Sequence, residues 1–300
     1  MSEANEKRKW GNAAERGSPI LIRFIVWLAM KVGRGPTRLL LHPICVYFVL
    51  LAPATRRNSA AYLARVLARR PTTGDVYRHI HTFAATLLDR VFFMSDRFEL
   101  FDIQLEGVEQ LEAARARGKG VILLGAHVGS FDAMRALAET QVDARLKVLM
   151  HTGVDGRVAR VIDGINPAIA RSIIPLGDPS SMLQVYEWLQ HGGMVGILAD
   201  RIAHGDKTHR LDFLGGHADF PAGAWLLAHL TGAPVVMFSG LYWGGNRYVV
   251  RFHTLSNGER FARGQRDDAI VPHMQAYATT LEGWVREAPN NWFNFYDFWA

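Results

Sequence analysis

The sequence predicts an α/β fold: a single domain with a mixed, largely parallel sheet flanked by helices, preceded by an N-terminal hydrophobic helical hairpin. Three observations predict it. Val121 to Leu124 form a continuous β-prone apolar run bounded by Gly120 and Gly125, the pattern of a strand covered on both faces. From Lys147 onward, short apolar runs alternate with helical patterns, as in a parallel sheet with helical crossovers. A chain of 300 residues, 49% hydrophobic and 21% charged, is long and apolar enough for one large core and excludes global disorder.

Taken in order, residues 1–18 are polar and of mixed charge, 19–58 are hydrophobic and membrane-associating, and 59–300 are the domain. Ile20 to Val32 and Leu39 to Ala52 are apolar runs separated by G-R-G-P-T-R. At ~1.5 Å per helical residue neither spans a hydrocarbon core of roughly 30 Å, and Arg23 and Lys31 dilute the first. The expected element is a hairpin that packs on the domain or dips into one leaflet, with Lys31, Arg34, Arg38, Arg56 and Arg57 available to phospholipid headgroups. Glu3, Glu6 and Glu15 argue against a cleaved signal peptide.

Helices are expected over Ser59 to Arg70, over Asp75 to Phe98 with Ile80, Phe83, Leu87, Leu88 and Val91 near one side, and over Val108 to Arg117. Phe101 to Leu105 reads as a strand. After the central motif come strand Lys147 to Met150, helix Asp155 to Ile165, strand Ser172 to Pro175, helix Ser181 to Gln190 and strand Met194 to Ala199. Ile202 to Arg210 reads as a polar loop. Phe220-Pro221-Ala222-Gly223 reads as a helix entrance with proline at the first position, and Gly232 as that helix's end. Strands Pro234 to Ser239 and Tyr248 to His253 and a closing helix Asp267 to Glu287 follow. The final W-F-N-F-Y-D-F-W is too aromatic for a free tail and is expected to clasp the core.

The chemistry points to the segment from Gly120 to Asp132, G-V-I-L-L-G-A-H-V-G-S-F-D. Ser130 is a good N-cap, and Phe131, Met134 and Leu137 recur at helical spacing, so His127 and Asp132 flank a strand-to-helix turn. Within one helix, five residues would separate them by roughly 140°; across a turn they can meet. A carboxylate in the first helical turn can then fix the imidazole tautomer and leave the other nitrogen as a general base. His127 and Asp132 are the catalytic candidates. Asp200-Arg201 also lies just past a buried strand, and ligands of α/β sheets collect at the strands' carboxyl ends, so both places are expected to face one crevice. Lys207 and Arg210 are cations, and Gly223 a helix-entrance N–H, able to meet a phosphate.

Other classes fit poorly. A zinc reading of His204, His209 and His217 lacks the short ligand spacings, and His79 and His81 point to different helical faces, so no metal is expected. Cys45 is the sole cysteine, which excludes an internal disulfide and fits a reducing cytoplasm. No G-x-S-x-G elbow occurs, and G-A-H-V-G-S has neither the Walker lysine nor G-x-G-x-x-G spacing. The net charge of +6 and pI ≈ 9.6 suit an anionic partner, but no nucleic-acid module accompanies them.

H-V-G-S-F-D after a buried strand resembles the H-x-x-x-x-D/E motif of the lysophospholipid acyltransferase superfamily, whose domain is glycerolphosphate acyltransferase-like. The branch it resembles is that of the bacterial late lipid A acyltransferases, the lauroyl and myristoyl transferases. The likeness continues through I-N-P from Ile165, G-G-M-V-G-I-L-A-D-R from Gly192, F-L-G-G-H-A-D-F-P-A-G from Phe213, T-G-A-P-V-V from Thr231 and P-N-N-W-F-N-F-Y from Pro289, and so covers the chain from Leu105 to the end. That branch usually carries Glu at Asp132 and often D-Q at Asp200-Arg201, and the phospholipid branch's E-G-T-R is missing. The acceptor therefore stays open among lipid A, ornithine lipid, glycolipid and polyene types. The resemblance implies transfer of a fatty acyl group from an acyl carrier protein or coenzyme A thioester to a hydroxyl or amine of a lipid or glycolipid, as in lipopolysaccharide biosynthesis. It implies no cofactor. The two short apolar runs flanked by Lys and Arg predict association with the cytoplasmic face of a bacterial inner membrane through Ile20 to Ala52 and its basic neighbours. In the superfamily the acidic residue at the position of Asp200 helps to arrange the acceptor or the catalytic site, which makes Asp200 and Arg201 substrate-binding candidates, joined by Lys207 and Arg210 toward an acceptor or phosphopantetheine phosphate and by Gly223 toward a phosphate or thioester oxygen. A non-catalytic membrane-associated scaffold that kept the fold is the competing expectation.

Overall fold

The computed structural model describes residues 19–134, 146–151, 172–176, 179–203, 205–260 and 266–299. The helix expected over Asp155 to Ile165, the I-N-P segment and His204 lie outside the described residues.

The strands are β1 Asp102–Glu106, β2 Val121–Gly125, β3 Leu146–His151, β4 Ile173–Leu176, β5 Met194–Leu198, β6 Thr208–Phe213, β7 Gly216–Pro221, β8 Val235–Tyr242 and β9 Arg247–Ser256. Seven of them form one sheet in the order β1-β9-β8-β2-β5-β3-β4. Every neighbouring pair is parallel except the antiparallel β8–β9 hairpin. The expected α/β class, with a mixed and largely parallel sheet, is the class observed.

Every residue of β2 and β8 is buried, because both faces are covered. Ile122, Leu124, Val235 and Met237 point into one core with Tyr277 and Leu281, whereas Val121, Leu123, Val236 and Phe238 point into the other with Leu88, Val91 and Phe92. The covering helices are α1 Pro19–Val32, α2 Arg34–Leu51, α3 Pro53–Val66, α4 Thr73–Met94, α5 Val108–Arg115, α6 Pro179–Gln190, α7 Gly223–Thr231 and α8 Arg266–Glu287.

The expected polar loop ends early, in a β6–β7 ribbon. Its turn, Leu214-Gly215, has φ of +50° and +69°, as a two-residue turn matching strand twist requires. Leucine is an uncommon choice there, which hides the turn in the sequence. Pro221 pairs with Thr208 as the last residue of β7, so α7 starts at Gly223 rather than at the proline. Gly232 ends α7 with φ of +68°, the left-handed cap that glycine adopts at least cost.

Helix α2 carries two apolar stripes. Thr37, Leu41, Cys45 and Val49 recur every fourth residue and are buried. Leu39, Leu40, Val46, Tyr47, Leu50 and Leu51 face outward, and Phe24 and Trp27 of α1 are also more than half exposed. No single described helix is long and apolar enough to cross a membrane; α2 and α3 pass that test only as a pair bent by 93°.

The basic residues of this region are less free than their sequence implies. Arg34 donates to Asp89 of α4 through Nε at 2.7 Å and Nη2 at 2.8 Å, and Asp89 is fully buried. Arg38 lies 3.5 Å from the same carboxylate, donates to Gly245 O at 3.0 Å and also reaches the Tyr242 hydroxyl. Arg56 donates to Val49 O at 3.1 Å. Arg34 and Arg38 therefore fasten α2 to the protein, whereas Arg56 ties α3 to α2 and is itself exposed.

Candidate active site

Parallel pairing builds the site. In the β2–β5 ladder Gly125 is level with Leu198. His127 and Asp200 each come two residues later, and both emerge at the carboxyl edge of the sheet. The imidazole Nδ1–H donates to Asp200 Oδ1 at 2.7 Å, and the His127 backbone N–H donates to Oδ2 at 3.0 Å. The Trp292 indole N–H donates to the same Oδ2 at 2.8 Å. A carboxylate can only accept, so the tautomer is settled: Nδ1 carries the proton and Nε2 presents its lone pair.

The loop is held on the C-terminal segment and on β8. Phe293 N–H donates to His127 O and Gly129 N–H to Asn291 O, both at 2.8 Å, and Ser130 N–H donates to Gly240 O at 2.8 Å. Gly129 has φ of +64°, and a Cβ there would lie 2.0 Å from Gly240 O, so only glycine permits this approach. Residues 131–134 are helical, as expected from Ser130.

The charge states suit a base. Burial lowers the His127 pKa below its ordinary value, the Arg201 guanidinium pushes the same way, and Asp200 opposes them. Burial alone would raise the Asp200 pKa, but the charge and hydrogen bond of His127, then Arg201 and Trp292, bring it down to about 2. The pair is thus a neutral imidazole beside a carboxylate near neutral pH. The side chain of His127 is 28% exposed, so substrate can reach it.

The expected His127–Asp132 contact is not made. Asp132 is buried, and its carboxylate is 3.1 Å from Nε of Arg90 on α4. No hydrogen bond or ion pair joins it to His127 among the described residues. The reason is positional: the first turn of the new helix carries Asp132 toward α4, while the neighbouring strand delivers Asp200 at the level of the ring. Arg201 donates through Nη2 to Phe293 O at 3.0 Å, behind the dyad, and so braces the C-terminal segment. Lys207, just before β6, and Arg210 within it are exposed, and Gly223 is exposed at the start of α7. Trp292 was foreseeable as a core clasp but not as a donor to Asp200; its position in an aromatic run gave no polar signal.

Trp292 also bears on stability. The fully buried His79 donates through Nε2 to Trp292 O at 2.8 Å, and its Nδ1 accepts from the Ser59 hydroxyl at 2.8 Å. Burial holds its pKa down to about 4, against 6.5 ordinarily. The unfolded chain therefore takes up this proton first, and stability should fall from pH 6.5 to 4 by about 3 kcal/mol in all, at about 1.4 kcal/mol per unit. Urea unfolding between pH 7 and 4.5 should show this loss, and His79→Gln should flatten it; an equally steep loss in that variant would remove His79 as the cause.

A sequence model of the bacterial lipid A biosynthesis acyltransferases matches residues 77–300. The chain belongs to this family. No curated protein matches it. The match begins within α4 and covers the whole sheet, the His127–Asp200 dyad and the C-terminal clasp, while α1 to α3 precede it. This acyltransferase thus takes an acyl donor and a lipid acceptor.

Proposed function

We propose that this acyltransferase moves a fatty acyl group from an acyl carrier protein or coenzyme A thioester to a hydroxyl, or an amine, of a lipid or glycolipid, with His127 as general base. The observation that carries this reading is the imidazole whose Nδ1–H is fixed by Asp200 while Nε2 has no hydrogen-bond partner among the described residues. Nε2 takes the acceptor's proton as its oxygen attacks the thioester carbonyl carbon. The C–S bond then breaks, and the imidazolium returns the proton to the leaving sulfur. Asp200 balances the transient imidazolium charge. No covalent enzyme intermediate is required. Lys207 and Arg210, exposed and cationic, are assigned to the anionic parts of the substrates, and the N–H of Gly223 to a phosphate or thioester oxygen.

The test is incubation with acyl carrier protein and coenzyme A thioesters plus a total lipid extract, followed by mass spectrometry. Product that depends on His127 supports transfer. Binding without turnover would mark a scaffold that kept the fold.

The enzyme is also assigned to the cytoplasmic face of a bacterial inner membrane. The outward stripe of α2 supports this, since exposed apolar area beside basic residues such as Lys31 and Arg57 suits an anionic bilayer surface. Changing Leu39, Val46 and Leu50 together to Ser should cut cosedimentation with anionic vesicles roughly tenfold or more, since each leucine or valine contributes roughly 1.5–3 kcal/mol when buried. Unaltered cosedimentation, or no vesicle binding by the wild type, would refute the assignment.

A further inference from the structure

Consecutive residues near the C-terminus tie together the two halves of the dyad. Asn291 O accepts from Gly129 N–H and Phe293 N–H donates to His127 O, both at 2.8 Å, so that Trp292 and Val128 form a short antiparallel bridge. From the other half, Arg201 Nη2 donates to Phe293 O at 3.0 Å. Trp292 thus lies between the loop that follows β2 and the loop that follows β5.

Its ring is held on several sides. Trp292 is fully buried and packs edge-on against Tyr62, Phe213 and Phe298, with ring centres 5.1, 5.2 and 4.8 Å away. His79 Nε2–H holds its carbonyl at 2.8 Å. A core clasp needs no polar atom, as Phe213 and Phe298 show in the same cluster, yet the indole N–H donates to Asp200 Oδ2 at 2.8 Å. The outer torsion of an aspartate is broad and nearly two-fold, so one bond to the imidazole does not fix the carboxylate plane. Here the His127 backbone N–H and the indole N–H both hold Oδ2, which turns Oδ1 to the imidazole Nδ1–H.

We propose that Trp292 is a positioning residue for the reaction, whose indole N–H holds the Asp200 carboxylate in its orientation toward His127. This rests on the assignment of His127 as the base. The same donor has an electrostatic effect. The positive end of the N–H dipole faces the dyad, so its removal leaves more negative charge on Asp200 and favours the imidazolium. Arg201, Tyr277 and Tyr296 also face Asp200, and burial raises both tyrosine pKa values, so neither phenol ionises where His127 titrates. His79, behind the Trp292 carbonyl, has its pKa lowered to about 4 by burial.

The test compares acyl transfer and its pH profile in the wild type, in Trp292→Phe and in a protein carrying benzothienylalanine at the same position, with folded fractions matched by circular dichroism. Benzothienylalanine keeps the bicyclic shape and has sulfur in place of the N–H, so packing remains and only the donor is lost. Both variants should lose roughly tenfold or more in kcat, as displacements at a catalytic group do, with KM for the thioester within about twofold. The acid limb of kcat/KM should move to higher pH by roughly half a pH unit, opposite to the shift that follows removal of the Asp200 charge itself. A residue that only packs would lower the melting temperature in Trp292→Phe and leave kcat and the acid limb of the sulfur variant unchanged. That outcome would overturn the proposal, as would an acid limb displaced to lower pH. If Trp292→Phe does not fold, the sulfur variant decides alone. Failure of the underlying base assignment shows separately, as normal turnover in His127→Ala.

Discussion

His127→Ala should lower turnover by roughly 10²–10⁴-fold, the range for a positioned general base, while leaving the fold intact. Among the described residues the imidazole is the sole group at this junction whose ordinary titration range lies near neutrality, and burial with Arg201 lowers its pKa further, so it is neutral and ready to accept a proton. Asp200→Asn should cost nearly as much. It keeps the shape but removes the charge that balances the imidazolium and the acceptor that fixes Nδ1–H. Both changes disable one proton transfer, so the double variant should be little worse than His127→Ala alone. The pH profile carries a sign of its own. Asp200 raises the imidazole pKa against burial and Arg201, so in Asp200→Asn the acid limb of kcat/KM should move to lower pH even as the plateau falls. Measurement of all four proteins at saturating thioester decides the matter. Losses that multiply would mean two independent sites, and near-normal turnover in His127→Ala would end the assignment.

The sequence showed where the two halves of this site lie but not which carboxylate belongs to the histidine. H-V-G-S-F-D invites pairing along the chain, His127 with Asp132. The structure pairs across it, because β2 and β5 are parallel neighbours and Gly125 stands level with Leu198. Once that adjacency is known, counting two residues beyond each strand gives His127 beside Asp200. Adjacency in a sheet is a long-range property, and periodicity within one strand carries no trace of it. The buried strands were legible because both faces of β2 and β8 are covered, which leaves continuous apolar runs. The β6–β7 ribbon was not, since Leu214 occupies a left-handed turn position usually marked by Asn, Asp or Gly. The C-terminal aromatics read correctly as a clasp, yet Trp292 spends its one polar atom on Asp200, and composition cannot direct an indole N–H.

Arg34→Ala should destabilise the protein by roughly 3–5 kcal/mol, the cost of leaving a buried charge without its partner. Asp89 is fully buried and receives two hydrogen bonds from Arg34, at 2.7 and 2.8 Å, with Arg38 more distant at 3.5 Å. Domains of ordinary stability have roughly 5–15 kcal/mol in total, so this one contact can decide whether the domain stays folded at 37 °C. Removal of residues 1–53 takes away both arginines and the buried stripe Thr37, Leu41, Cys45 and Val49. Such a truncation should therefore give aggregated or unfolded protein, where a separable anchor would leave a soluble domain. Arg34→Met with Asp89→Asn offers the control. With no charge left unpaired it should recover much of the loss, although Tyr248 still donates to the amide oxygen. Denaturant midpoints of the single and double variants test the claim. An Arg34→Ala protein within about 1 kcal/mol of wild type, or a well-folded soluble 54–300 fragment, would show that α2 is an attachment after all and that Asp89 finds its counter-charge elsewhere.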